Sequence, residues 1–105
     1  VLSISGLHDL RPLLKTAMND IFHMDAAEAI AESAALHRPR PDIAVHCCVG
    51  GDELKEFRRQ NALLANIWYG SGIDTNAWEI DGTHHCNVID TMRDPESRAV
   101  KFLCP

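Results

Sequence analysis

The chain has 105 residues, 46% of them hydrophobic and 24% charged, with a formal net charge of −5. That is the length and composition of one globular domain, 1–105. The charges are dispersed rather than blocked, which argues against a nucleic-acid footprint, and no apolar run reaches the ~18 residues of a membrane span.

No charged start followed by an apolar core resembles a signal peptide, so the expectation is a soluble cytoplasmic protein with no cofactor. Four cysteines, Cys47, Cys48, Cys86 and Cys104, include no Cys-x-x-Cys pair. They are expected to be reduced and mostly buried thiols. The chain opens on a strand-like run, Val1-Leu2-Ser3-Ile4-Ser5, which hints at a fragment or an engineered protein.

Residues 1–5 are apolar and β-branched, and Gly6 ends that first strand. Asp9 is suited to cap a helix with Pro12 in its first turn. Asn19-Asp20 suggests a break, and Asp25 is a second cap before the helix-forming run Ala26–Glu32. Two prolines, Pro39 and Pro41, make 37–42 a loop. Ile43–Val49 is nearly continuous apolar sequence, the pattern of a parallel strand covered on both faces. Gly50-Gly51 is expected to make a sharp turn.

A long helix is expected from Asp52 to about Tyr69. Its stripe would be Leu54, Phe57, Leu64, Ile67 and Trp68, and Gly70-Ser71-Gly72 stops it. Trp68, Tyr69 and Trp78 read as core. Thr75–Ile80 is the third strand, 84–89 a loop, and Asp94 with Pro95 should open a last helix through Val100, Phe102 and Leu103. The order β-α-β-α-β-α predicts an α/β layered fold with a short parallel sheet. With sequential strands, right-handed crossovers put both connecting helices on one face and leave only the last helix for the other. Two free edges and one thinly covered face would favour self-association or a companion segment.

Function in open α/β sheets gathers at the carboxyl ends of the strands. Asp52 lies just past one such end and His84-His85 just past the next. Taken alone, Asp52 is a helix N-cap, with Glu53 favourable to the helix dipole, and the histidines are surface or capping residues. Taken together they offer the acid and base of a relay, because a base histidine needs a carboxylate to orient it. The nucleophile is missing: none of Ser3, Ser5, Ser33, Ser71 and Ser97 has glycine at both −2 and +2. In α/β-hydrolases the chain order is serine, acid, histidine, so the serine would lie upstream of Val1.

Three stretches carry a specific resemblance. Ser3-Ile4-Ser5-Gly6-Leu7-His8-Asp9-Leu10-Arg11-Pro12-Leu13 resembles the segment after the nucleophile region in kynurenine formamidase-like α/β-hydrolases. Val49-Gly50-Gly51-Asp52-Glu53-Leu54 with Phe57-Arg58-Arg59-Gln60 is similar to that family's acid loop. Gly82-Thr83-His84-His85 with Asn87-Val88-Ile89-Asp90 is similar to its histidine loop. The resemblance implies the C-terminal half of an α/β-hydrolase fold, Asp52 as acid and His85 as base. His85 is preferred to His84 because the family's histidine directly precedes an aromatic residue. Here Cys86 stands in that position, Ser33-Ala34 stands where the family often has Ser-Pro, and Cys48 stands where a larger apolar residue is expected. These departures read as losses of apolar bulk near a surface that the absent half would cover.

The resemblance implies hydrolysis of an aryl formamide or small ester, with no acyl-enzyme formed by this chain alone. The partner is then a complementary N-terminal hydrolase segment. The alternative is a non-catalytic, self-associating module, natural or engineered, forming a dimer. Neither nucleic acid nor membrane is expected as a partner. His46, Cys48, His84 and Cys86 are the candidate ligands of a metal site in that alternative, although Cys47 and Cys48 point to opposite faces and cannot share one ion. A disulfide between strand ends and a Cys–His nucleophile at Cys48 or Cys86 are further readings. His8 and Arg11 read as a solvated helix start.

Overall fold

A computed structural model describes all 105 residues. Strand β1 is Leu2–Ile4, β2 is Ala44–Gly50 and β3 is Asp74–Ile80. They form one parallel sheet in the sequential order β1-β2-β3, with Ser3 beside Cys47 and Cys47 beside Ala77. The α/β architecture expected from the alternating pattern is therefore present.

Helices α1 (Asn19–Phe22) and α2 (Ala26–Ala31) lie between β1 and β2, α3 (Lys55–Trp68) between β2 and β3, and α4 (Arg98–Leu103) after β3. Asp25 caps α2 as expected, its Oδ1 accepting the Glu28 N–H at 2.9 Å. Gly70 and Gly72 stop α3 with φ of 78° and 83°, the left-handed conformation that only glycine adopts without strain.

Several boundaries differ from expectation. Asp9 does not cap a helix: its carboxylate folds onto the Arg11 backbone and guanidinium, and Arg11–Lys15 is a single 3-10 turn. Helix α3 begins at Lys55, so Asp52 and Glu53 stand in the turn before it. The cap of α4 is Ser97, whose Oγ accepts the Val100 N–H, while Asp94 takes the Glu96 N–H in a local turn.

Alternation along β2 divides the core. Val45 and Cys47 face α3 and pack with Leu64 and Ala35, while His46 and Cys48 face the other side. There Phe102 of α4 stacks on His46 at 4.0 Å between centroids, and Arg98 sits 4.2 Å above the Trp78 ring. One helix thus covers that face, as right-handed crossovers require.

The buried set is small, 17 of 105 residues, and the extents of 41 × 32 × 17 Å describe a slab. The radius of gyration, 14.5 Å, exceeds the ~13 Å usual for this length, so apolar residues reach the surface. Of the stripe expected on α3, Leu54 and Ile67 are exposed, and Tyr69 is 83% exposed rather than core. The buried positions of α3 are Gln60, Asn61 and Leu64. Gln60 earns its place through hydrogen bonds: Oε1 accepts the His8 and Asp9 N–H groups at 2.9 and 2.8 Å, and Nε2 donates to the Asp9 carbonyl at 2.8 Å. This side chain pins the loop after β1 to α3 and satisfies donors that burial would otherwise strand.

Candidate active site

The carboxyl ends of the strands converge where β2 runs into the turn 51–54. Gly51 N–H donates to the Ile80 carbonyl and Asp52 N–H to the Thr83 carbonyl, both at 2.9 Å. These bonds bind the turn after β2 to the loop after β3. Neither Gly50 nor Gly51 has positive φ. Gly50 is required for approach instead, because a Cβ there would collide with the Thr83 carbonyl. Gly50 therefore brings two loops together, at a turn that the Glu53 N–H closes onto the Gly50 carbonyl at 3.1 Å as the double glycine predicts.

This turn directs Asp52 and Glu53 oppositely. Asp52 is exposed, and its carboxylate accepts no hydrogen bond from His85. Glu53 folds back beneath the strand ends with a fully buried side chain. Its Oε1 accepts the Gly50 N–H at 2.9 Å and the Ser5 hydroxyl, and its Oε2 lies 2.8 Å from His85 Nδ1. The carboxylate that meets His85 is thus Glu53, not the expected Asp52. A helix starting at Asp52 would have made Glu53 a surface residue. The actual start at Lys55 leaves Glu53 free to satisfy the Gly50 N–H.

Burial pushes the Glu53 carboxyl up, but the Ser5 hydroxyl, the Gly50 N–H and the His85 ring outweigh it and hold the group below the ordinary carboxylate range. Glu53 is therefore ionised at neutral pH and can only accept. His85 Nδ1 must carry the hydrogen between them, so in the neutral imidazole Nε2 is the acceptor. Phe57 packs against the ring at 4.6 Å between centroids. The His85 side chain is 57% exposed, and no protein group hydrogen-bonds Nε2. A buried acid, an oriented imidazole and an open Nε2 form a couple able to take a proton from a hydroxyl and return it to a leaving group.

The remaining candidates fall elsewhere. His84 is held in its own turn, its Nδ1 accepting the Cys86 N–H at 3.1 Å and its N–H donating to Asn87 Oδ1 at 2.7 Å. His46 lies toward the opposite end of β2, 2.9 Å from Asp74 Oδ2. No three of His, Cys, Asp or Glu gather as a metal site, so His46, Cys48, His84 and Cys86 are not brought together. All four cysteines are free. Cys48 is fully buried rather than exposed by lost cover, and burial lifts the Cys47 and Cys48 thiols to about 11. High thiol pKa disfavours the thiolate that a nucleophile needs.

His8 is not solvated but buried, with Nε2 3.2 Å from Ser3 Oγ, and burial lowers its pKa. Ser5 and Glu53 were the residues that pattern reading missed. The signal for Glu53 was available, since the hydrolase acid is either Asp or Glu.

No family model matches the chain. The kynurenine formamidase of Danio rerio is similar to it at 23% identity, over 95% of this chain and 36% of that protein. A crystal structure of a candidate thioesterase from Silicibacter sp. TM1040 matches it with a TM-score of 0.84 and 44% identity, over 96% of this chain and 37% of the other. The chain is part of an α/β-hydrolase fold. It spans little more than a third of either relative. The three-stranded sheet and its helices thus correspond to one portion of those longer proteins.

Proposed function

We propose that the chain carries the acid and base of a hydrolase relay acting on an aryl formamide, a small ester or a thioester, with the nucleophilic serine supplied by a companion segment. The observation that carries this reading is the pairing of buried Glu53 with His85 Nδ1 at 2.8 Å, leaving Nε2 open. The serine oxygen attacks the acyl carbonyl as its proton passes to Nε2. His85 then gives that proton to the departing nitrogen, oxygen or sulfur as its bond to the acyl carbon breaks. Water repeats the cycle to release the acid. Glu53 keeps the Nδ1 hydrogen in place and stabilises the imidazolium. Alone, the chain forms no acyl-enzyme by this route.

The unpaired edge of β1 supports a companion segment. An apolar groove of about 410 Å³ runs beside it, lined by Val1, Leu2, Ile43, Val45, Leu64 and Trp68 among others. A parallel strand joined to β1 by a right-handed crossover would send its helix over that face.

The test is turnover of a small aryl ester with and without a serine-bearing companion. Turnover that depends on the companion and is abolished by His85→Ala supports the reading, and turnover indifferent to His85→Ala overturns it. A non-catalytic, self-associating module is the second reading, favoured by exposed Ile21 (78%) and Phe22 (56%). It predicts a dimer in sedimentation, and a monomer at all concentrations counts against it.

A further inference from the structure

We infer that Ser5 is a positioning residue for His85, acting through Glu53; this rests on the reading of Glu53 and His85 as the relay pair. Ser5 ends β1, where its N–H continues the ladder to the Cys48 carbonyl at 2.8 Å. It is buried and has a φ of 50°, one of three non-glycine residues in the left-handed region. That conformation is unfavourable for a residue with a Cβ and easy for glycine. A glycine does stand beside it, at Gly6, and not at position 5. What the serine offers in return for its strained backbone is a hydroxyl placed on Glu53 Oε1.

The consequence for His85 follows from the carboxylate's freedom. The last torsion of a glutamate is broad and nearly two-fold, so one hydrogen bond does not fix the plane of its oxygens. Here Oε1 is held by donors from two strands, Gly50 N–H from β2 and the Ser5 hydroxyl at the end of β1. Two donors on one oxygen fix the plane, and the plane aims Oε2 at His85 Nδ1. Ser5 makes no hydrogen bond to His85 and does not stand as its nucleophile. Its part is to keep the hydrogen on Nδ1, so that Nε2 stays an acceptor.

The experiment is nitrogen-15 NMR of the His85 ring at neutral pH in the intact chain, which reads the proton on each ring nitrogen. The chain itself should show His85 protonated on Nδ1. In Ser5→Gly the backbone strain is gone, so the melting temperature should hold or rise. The ratio of Nδ1–H to Nε2–H should nevertheless fall by roughly threefold to tenfold, the ordinary net worth of one hydrogen bond. Ser5→Ala should show the same loss with the strain retained.

Glu53→Met, which keeps bulk and removes the carboxylate, separates the two ideas. Loss of the Nδ1–H bias in both Glu53→Met and Ser5→Gly, with the melting temperature of Ser5→Gly held or raised, supports the inference. Loss in Glu53→Met with retention in Ser5→Gly overturns the role of Ser5 alone. Retention in Glu53→Met overturns the relay pair and the role of Ser5 with it. A Ser5→Gly chain that loses both melting temperature and bias assigns Ser5 to the fold alone, which also overturns the inference.

Discussion

His85 Nδ1 lies 2.8 Å from Glu53 Oε2, while the neighbouring Asp52 is turned to solvent. One peptide unit thus separates a surface carboxylate from a buried one that holds a histidine. The difference should be measurable in stability. Glu53→Ala strands the Gly50 N–H and removes the acceptor of Ser5, at ~1–3 kcal/mol for each buried group left unpaired. Asp52→Ala removes an exposed group and should fall within about ±0.5 kcal/mol. Urea denaturation of the two variants checks this ordering.

Acid should weaken the fold in two stages. Both His8 and Glu53 have folded pKa values below their ordinary ones, 6.5 and 4.5. A group with a depressed folded pKa binds fewer protons folded than unfolded, so stability falls as pH drops below its ordinary value and through its folded one. His8 therefore contributes a loss beginning below 6.5, and Glu53 a further loss beginning below 4.5. His8→Gln should flatten the first stage of a melting-temperature profile and leave the second. A profile unchanged by His8→Gln would contradict the burial of a neutral imidazole.

Gln60 should be the most sensitive position on α3. Gln60→Leu keeps the bulk and suits a buried site, yet it unpairs two N–H groups and a carbonyl of His8 and Asp9. Each such group costs ~1–3 kcal/mol, a large share of the ~5–15 kcal/mol that holds a domain together. The expected outcome is a strongly lowered urea midpoint, with Leu64→Ala, at ~2–5 kcal/mol, as the comparison.

Thiol reactivity should divide the cysteines into pairs. Cys86 and Cys104 are exposed, while Cys47 and Cys48 are buried with thiols lifted to about 11. Alkylation at neutral pH should modify the first pair readily and the second only on unfolding, as peptide mass mapping would show. Rapid modification of Cys48 would contradict the cover that α4 supplies to its face of the sheet.

Much of this architecture was legible in the residues. The apolar run 43–49 reads as a buried parallel strand because both faces of β2 are covered, and the glycines at 70 and 72 stop α3 as glycines do. The two histidines differ in geometry, His85 meeting Glu53 and His84 serving its own turn. What periodicity could not convey was direction within turns. Asp52 and Glu53 are adjacent acids before a helix, and which of them turns inward depends on the true helix start and on the Gly50 N–H that Glu53 captures. Gln60 lies outside the apolar stripe read for α3, because its partners are backbone groups of a distant loop, invisible to the pattern of that helix. The glycine pair does stand at a turn, Glu53 N–H donating to the Gly50 carbonyl at 3.1 Å, but the close approach of Gly50 to Thr83 is a contact between loops that a turn pattern does not convey.

The most direct test of the relay is aryl ester turnover by this chain combined with the remaining portion of the Silicibacter relative, as the candidate companion segment. With Glu53 as the orienting acid, Glu53→Gln should lower kcat by about 10⁴-fold, as loss of the acid does in serine hydrolases, and His85→Ala should abolish turnover. Asp52→Asn should leave the rate within about twofold, because a screened surface charge supports no transition-state contact. A large loss from Asp52→Asn with Glu53→Gln unaffected would contradict the assignment of Glu53 and return the acid to its neighbour.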